Sequence, residues 1–160
     1  MRGQGGFTYL GLLFAIAVLG ITLASAGVLW STQIRREKEA ELMWVGDQYR
    51  AAIARYASSG GYPTALEDLV NDPRSPQPRH YLRKLYPDPM TGSADWQVVL
   101  GPSGTIIGVA STSQDKPIKV ANFPARYVEF EKAETYADWK FANTGRNQRP
   151  RRAIRPAGAN

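Results

Sequence analysis

Residues 7–30 read FTYLGLLFAIAVLGITLASAGVLW, a run of 24 residues without one charged side chain. As a single α-helix this run is about 36 Å long, enough to cross a hydrocarbon core of about 30 Å. A chain of 160 residues leaves too small a domain to cover a helix that is apolar on every side. A membrane span is therefore preferred to a buried core helix. A third reading is a cleaved secretory signal. Arg2 would be its basic start, and Ala24-Ser25-Ala26 has the small-x-small pattern of a cleavage site, giving a mature chain from Gly27. Apolar character continues past that point through Val28, Leu29 and Trp30, which favours retention of the run.

Outward from this segment the helical pattern persists. No proline occurs from Ser31 to Tyr56, and Arg, Glu, Lys, Ala and Gln dominate. Leu42, Val45, Tyr49, Ile53 and Tyr56 fall at spacings of three and four, one apolar stripe, with Asp47, Arg50 and Arg55 assigned to the wet side. Ser58, Ser59, Gly60 and Gly61 end the pattern. The prediction is one helix of about 50 residues, apolar all round in its first half and amphipathic in its second.

A short helix is expected after Tyr62-Pro63, with Thr64 and Glu67 as a capping box and Leu66, Leu69 and Val70 buried. Tyr81, Leu82 and Leu85 predict another helical turn. Asp88, between Pro87 and Pro89, reads as a turn-maker rather than a metal ligand or catalytic acid. DWQVVL and TIIGVAS flank Gly101-Pro102-Ser103-Gly104 and predict a hairpin. RYVEF (126–130) and YADWKFA (136–142) are read as two further strands. Together these give an α+β class, a long helix packed on a small antiparallel β-sheet.

The absence of cysteine excludes disulfides and thiol catalysis, and His80 is the single histidine. No nucleophile or phosphate-loop motif occurs. Nothing in the sequence marks an enzyme, and no cofactor or metal is assigned. Asp115, Glu129, Glu131 and Glu134 do not form a dense calcium-ligand run. Of the net charge of +6, all but one unit lies in the tail. Arg146, Arg149, Arg151, Arg152 and Arg155 follow the last acid, Asp138, whereas residues 1–145 hold 15 bases against 14 acids. The tail lacks aromatic residues for base stacking, so a solvated disordered tail is preferred to a nucleic-acid site.

The junction MRGQGG–FTYLGLLFAIAVLG resembles the class III signal of type IV pilins and of type II secretion pseudopilins. The segment YLRKLYPDPMTG is similar to the pseudopilin stretch in which Leu-Pro-x-Asp-Pro leads into the sheet, with Tyr86 inserted here before Pro87. The resemblance implies that a prepilin peptidase cuts between Gly6 and Phe7 and that Phe7 is N-methylated. Residues 1–6 would be the leader and 7–30 the transmembrane half of the helix. Residues 31–143 would be a pilin-like head in the periplasm, and 144–160 a basic tail. It places Leu10, Gly11, Leu13, Phe14, Ala17 and Val18 on the helix face that packs in a filament.

The implied protein is a single-pass bacterial inner-membrane pseudopilin, in a short periplasmic filament that drives protein export. Its implied partners are the prepilin peptidase, other pseudopilins or pilins, an inner-membrane platform protein and membrane lipid. The alternatives are a type IV pilus minor pilin and a periplasmic binding protein exported by a signal peptide. Gly11 stands where the family usually carries a glutamate, as in some minor tip subunits. Arg35, Arg36 and Lys38 follow the span and only Arg2 precedes it, so charge counting favours a cytoplasmic carboxyl side. The resemblance implies the opposite, and the expectation follows it.

Overall fold

The computed structural model describes residues 5–143, without the side chains of residues 5–8 and 21–29. The fold is α+β, with one long helix and a three-stranded antiparallel sheet. The chain divides into two compact units, Met1–Lys38 and Glu39–Asn160. This division falls within the helix, eight residues beyond the expected end of the apolar half at Trp30. Helix α1 (Gly5–Ser58) has 54 residues, close to the length expected from the absence of proline. Among the described residues, no helix is long and apolar enough to cross a membrane.

In the first unit α1 is exposed all round from Tyr9 to Gly20. In the second unit the predicted stripe is the core. Leu42, Val45, Tyr49, Ile53 and Tyr56 are all buried. They pack with Leu69, Leu82, Trp96, Val109, Tyr136, Trp139 and Phe141. The helix stops where Gly60 and Gly61 take φ of +119° and +108°, conformations that side chains with a Cβ rarely adopt. The wet-side assignment holds less well. Asp47 and Arg50 are half-buried and reach across to Tyr127.

The hairpin forms as expected. β1 (Gln97–Leu100) pairs antiparallel with β2 (Ile106–Ala110), Val98 opposite Val109, with an irregularity between Val99 and Leu100. β3 (Phe141–Ala142) pairs antiparallel with the other edge of β2, so the order is β1-β2-β3.

Four local expectations are corrected. The segment after Pro63 is only one 3-10 turn, Glu67–Leu69. Thr64 pairs with Asp68 rather than Glu67, because the Asp68 carboxylate accepts both the Thr64 amide and hydroxyl and the Ala65 amide. Residues 81–85 form bends rather than a helical turn, although Leu82 is buried. The expected strand at 126–130 is a 3-10 helix, Ala125–Lys132, kinked at Tyr127. Its buried residues, Tyr127 and Phe130, are three apart, as a 3-10 turn requires. The expected strand at 136–142 is a 3-10 turn, Tyr136–Asp138, followed by the two residues of β3. A reciprocal capping box between Thr135 and Asp138 starts that turn.

These short elements deliver aromatic rings to one place. Phe130 stacks on Trp139 with centroids 5.4 Å apart and planes 5° from parallel. Phe141 meets Tyr127 and Phe130 edge to face at 5.5 Å and 5.2 Å.

Candidate functional site

The first unit carries the candidate assembly surface. Leu10, Leu13, Phe14 and Val18 are 65%, 46%, 71% and 43% exposed on α1. With Gly11 and Ala17 they fall at helical spacings of three and four, on one side of the helix. Leu10, Gly11, Leu13, Phe14 and Ala17 together line a shallow apolar depression. No atom lies within 4 Å of where a Gly11 Cβ would stand, so even a glutamate would meet no obstacle there. A continuous exposed apolar helix is costly in water, by about 25 cal/mol for each Å². The arrangement can bury itself in lipid or against other apolar helices, and it offers no chemistry.

Gly6 lies in the first turn of α1, and Phe7 follows it. Their side chains, like residues 1–4 and the tail 144–160, lie outside the described residues.

The second unit is held by four carboxylates, each with a distinct task. Glu39 is buried at the residue where the chain enters this unit. It accepts the amides of Ile118 at 2.6 Å and Lys119 at 3.1 Å, and the Tyr136 hydroxyl at 2.9 Å. In the sequence it is one acid among the bases Arg35, Arg36 and Lys38 that follow the apolar run. Its partners are distant in the chain, so no local pattern marks it.

Asp88 is fully buried in the Pro-Asp-Pro turn and accepts from the Met90 amide and the Ser111 hydroxyl. The turn is seated by Tyr86, the residue before Pro87. The Tyr86 carbonyl accepts from the Tyr49 hydroxyl and Trp96 Nε1, and its amide donates to the Tyr49 oxygen. Burial of Tyr49, first of all, pushes its hydroxyl up to about 12.

Asp47 receives the Tyr127 hydroxyl at 2.7 Å, and Arg50 and Arg126 pair with it at 2.9 Å and 3.2 Å. Burial raises its pKa, but the hydrogen bonds from Tyr127 and Arg50 and the charges of Arg50 and Arg126 outweigh it. The carboxyl is held below its ordinary value.

Asp72 positions Arg74, which closes the end of α1. Arg74 donates to the carbonyls of Gly60 and Tyr56, and its guanidinium lies 3.6 Å from the centre of the Tyr56 ring. The hydrogen bonds from Arg74 hold the Asp72 carboxyl well below the usual carboxylate range. A carboxyl with a depressed folded-state pKa stabilises the fold above its unfolded value of about 3.9, and that stabilisation is lost on acidification below it. Acidification from about pH 5 to about pH 2 should therefore progressively weaken the helix end in the wild type. Asp72→Asn removes Asp72's share of this pH dependence. Amide exchange at Ser59–Gly61 against pH checks it, and an unchanged acid profile in the variant would refute it.

No group of three or more potential metal-ligating side chains occurs among the described residues. The exposed His80 ring contacts the Val70 carbonyl. No protein-family model matches this chain, and no curated protein or solved structure matches it.

Proposed function

We propose that the chain is a membrane-anchored pseudopilin of a type II secretion system. It acts by assembly, without catalysing a reaction. Residues 7–30 wait in the bacterial inner membrane, with the head in the periplasm. A platform protein of the assembly machine draws subunits into a short filament whose growth pushes folded cargo outward. In that filament the faces formed by Leu10, Gly11, Leu13, Phe14, Ala17 and Val18 exchange lipid contacts for contacts with neighbouring helices.

The observation that carries this reading is the change of character along α1. The segment from Phe7 to Trp30 contains no charge, and its described apolar residues are exposed. From Leu42 to Tyr56 the same helix is the spine of a small α+β core. Such a helix needs two different solvents, one along its first half and one along its second. The glycine before Phe7 and the Pro-Asp-Pro turn around the buried Asp88 add support.

Co-expression with an active prepilin peptidase, followed by intact-mass measurement of the membrane-extracted protein, tests the proposal. The expected product lacks residues 1–6 and carries one added methyl on Phe7. Gly6→Val should block the cut, because a branched side chain replaces the hydrogen that lets the leader lie against the protease. A product starting at Gly27 would replace the proposal with ordinary secretion. An intact Met1 in the presence of active peptidase would reduce the protein to a plain anchored domain.

A further inference from the structure

Glu39 fastens one particular loop to the point where the chain enters the second unit. Its carboxylate accepts the amides of Ile118 and Lys119, and Tyr136, whose amide bonds the Asp115 carbonyl, donates its hydroxyl to the same oxygen. The loop is thus held from both sides at that end of the head. Beyond the attachment the chain turns outward. Val120 is 60% exposed, Ala121 is exposed, and Asn122 takes a left-handed φ of 61°, which sharpens the tip. Lys116 is exposed just before the Glu39 attachment; Lys119, whose amide is part of it, is half-exposed, with its Nζ 5.0 Å from the centre of the Phe123 ring. The stretch 111–128 holds Lys116, Lys119 and Arg126 against one acid, Asp115. In sequence, Glu39 comes nine residues after Trp30, the end of the charge-free run.

We infer that the tip of this loop, Lys116–Asn122, seats on an anionic lipid headgroup surface. Val120 enters the apolar edge of the headgroup layer, and Lys116 and Lys119 face the phosphates. The inference rests on the membrane reading proposed above. It adds that the head is docked on the bilayer before assembly, through a loop whose position is fixed by a buried carboxylate. The chemistry is that of interfacial binding, a small apolar insertion joined to nearby cations. Each lysine is worth roughly fivefold in the docked-to-undocked ratio on an anionic surface.

The chain contains no cysteine, so single-cysteine variants of the full chain can be labelled at one site. An environment-sensitive fluorophore is placed at Ala121→Cys, at Ser103→Cys or at Leu13→Cys. Ser103 lies in the hairpin turn, at the end where the Ile106 amide bonds the Pro63 carbonyl. Each protein is reconstituted into vesicles of phosphatidylcholine, with or without phosphatidylglycerol. The expected result is a blue-shifted, lipid-quenchable signal at 121 in the anionic vesicles and a weaker one in the neutral vesicles. The 103 probe stays aqueous in both. Lys116→Gln with Lys119→Gln, and separately Val120→Asp, return the 121 probe to water. All three residues are at least partly exposed, so these variants leave the core intact.

A lipid signal at 13 with an aqueous 121 probe overturns this inference and leaves the membrane reading standing. An aqueous signal at 13 overturns both. Equal signals at 121 in neutral and anionic vesicles overturn the role given to the lysines.

Discussion

Phe141→Ala is expected to lower the unfolding free energy of the head by about 4 kcal/mol, the usual cost of emptying a fully buried phenylalanine site. The same change should reverse the sign of a second substitution, Gly46→Ala. Gly46 lies on α1 directly under the Phe141 ring, and a Cβ at 46 would sit inside the van der Waals envelope of three of its carbons. The ring cannot retreat. Tyr127 and Phe130 meet it edge to face, and its backbone is paired to Val109 of β2.

Overpacking this close costs about 3 kcal/mol, the upper end of the usual range, against which alanine recovers about 1 kcal/mol of helix propensity. Gly46→Ala alone should therefore destabilise by about 2 kcal/mol. In the Phe141→Ala background the obstruction is gone and the new methyl fills part of the void. Gly46→Ala then stabilises by about 1 kcal/mol. The coupling of about 3 kcal/mol is at the upper end for residues in contact. Denaturant unfolding of the four proteins, followed through the aromatic near-ultraviolet signal, measures it. Additivity within about 0.5 kcal/mol would mean that the ring is not what keeps position 46 free of a side chain.

This pair also marks the border between what was legible in the sequence and what was not. The stripe from Leu42 to Tyr56 could be read because helical burial repeats locally, every three or four residues. The hairpin could be read because two β-branched runs flank a turn-forming tetrapeptide. Gly46 sits inside the stripe, and its reason for lacking a side chain arrives from Phe141, far along the chain. The same distance hides Glu39, whose partners are amides of a loop that itself has no regular structure.

The misread segments at 126–130 and 136–142 have a different cause. Aromatic and β-branched residues there suggested strands by composition. The decisive signal was spacing, with Tyr127 and Phe130 three apart, Tyr136 and Trp139 three apart, and Thr135 three before Asp138. These are the periods of a tight 3-10 turn and its cap, and they outweigh residue preference where buried rings set the geometry. The apolar face of the first unit was legible as a composition. In the proposed assembly, what it packs against belongs to other molecules, which neither the sequence nor the fold of one chain contains.

Asp88→Ala is the second substitution with a large expected effect, a loss of about 3 kcal/mol, which one buried and two part-buried hydrogen bonds account for. The carboxylate receives the Met90 amide at 2.9 Å, the Ser111 hydroxyl at 2.6 Å and the Thr112 amide at 3.3 Å. It thereby ties the Pro-Asp-Pro turn to the residues that follow β2. Pro87 and Pro89 carry no amide hydrogens, so the turn makes few demands of its own, and Asp88 is left to serve its neighbours. Backbone bonds from the Asp88 amide to Ser93 and from the Gly92 amide to Asp88 survive in the variant. The lost stability therefore reports the side chain alone.

Removing the acceptor strands the buried Ser111 hydroxyl, at roughly 1–3 kcal/mol, and deprives the part-buried Met90 and Thr112 amides of their partner at a smaller cost, because water can reach them. Ser111→Ala removes one donor to the carboxylate, which keeps two amides, and also the acceptor of the Ser113 amide, so it should cost about 2 kcal/mol. The double variant should lose less than the sum of the two single losses, because the hydroxyl left without an acceptor has gone as well. Thermal unfolding of the three variants orders them. If Asp88→Ala melted no earlier than Ser111→Ala, the two prolines rather than the buried carboxylate would be what fixes the approach to the sheet.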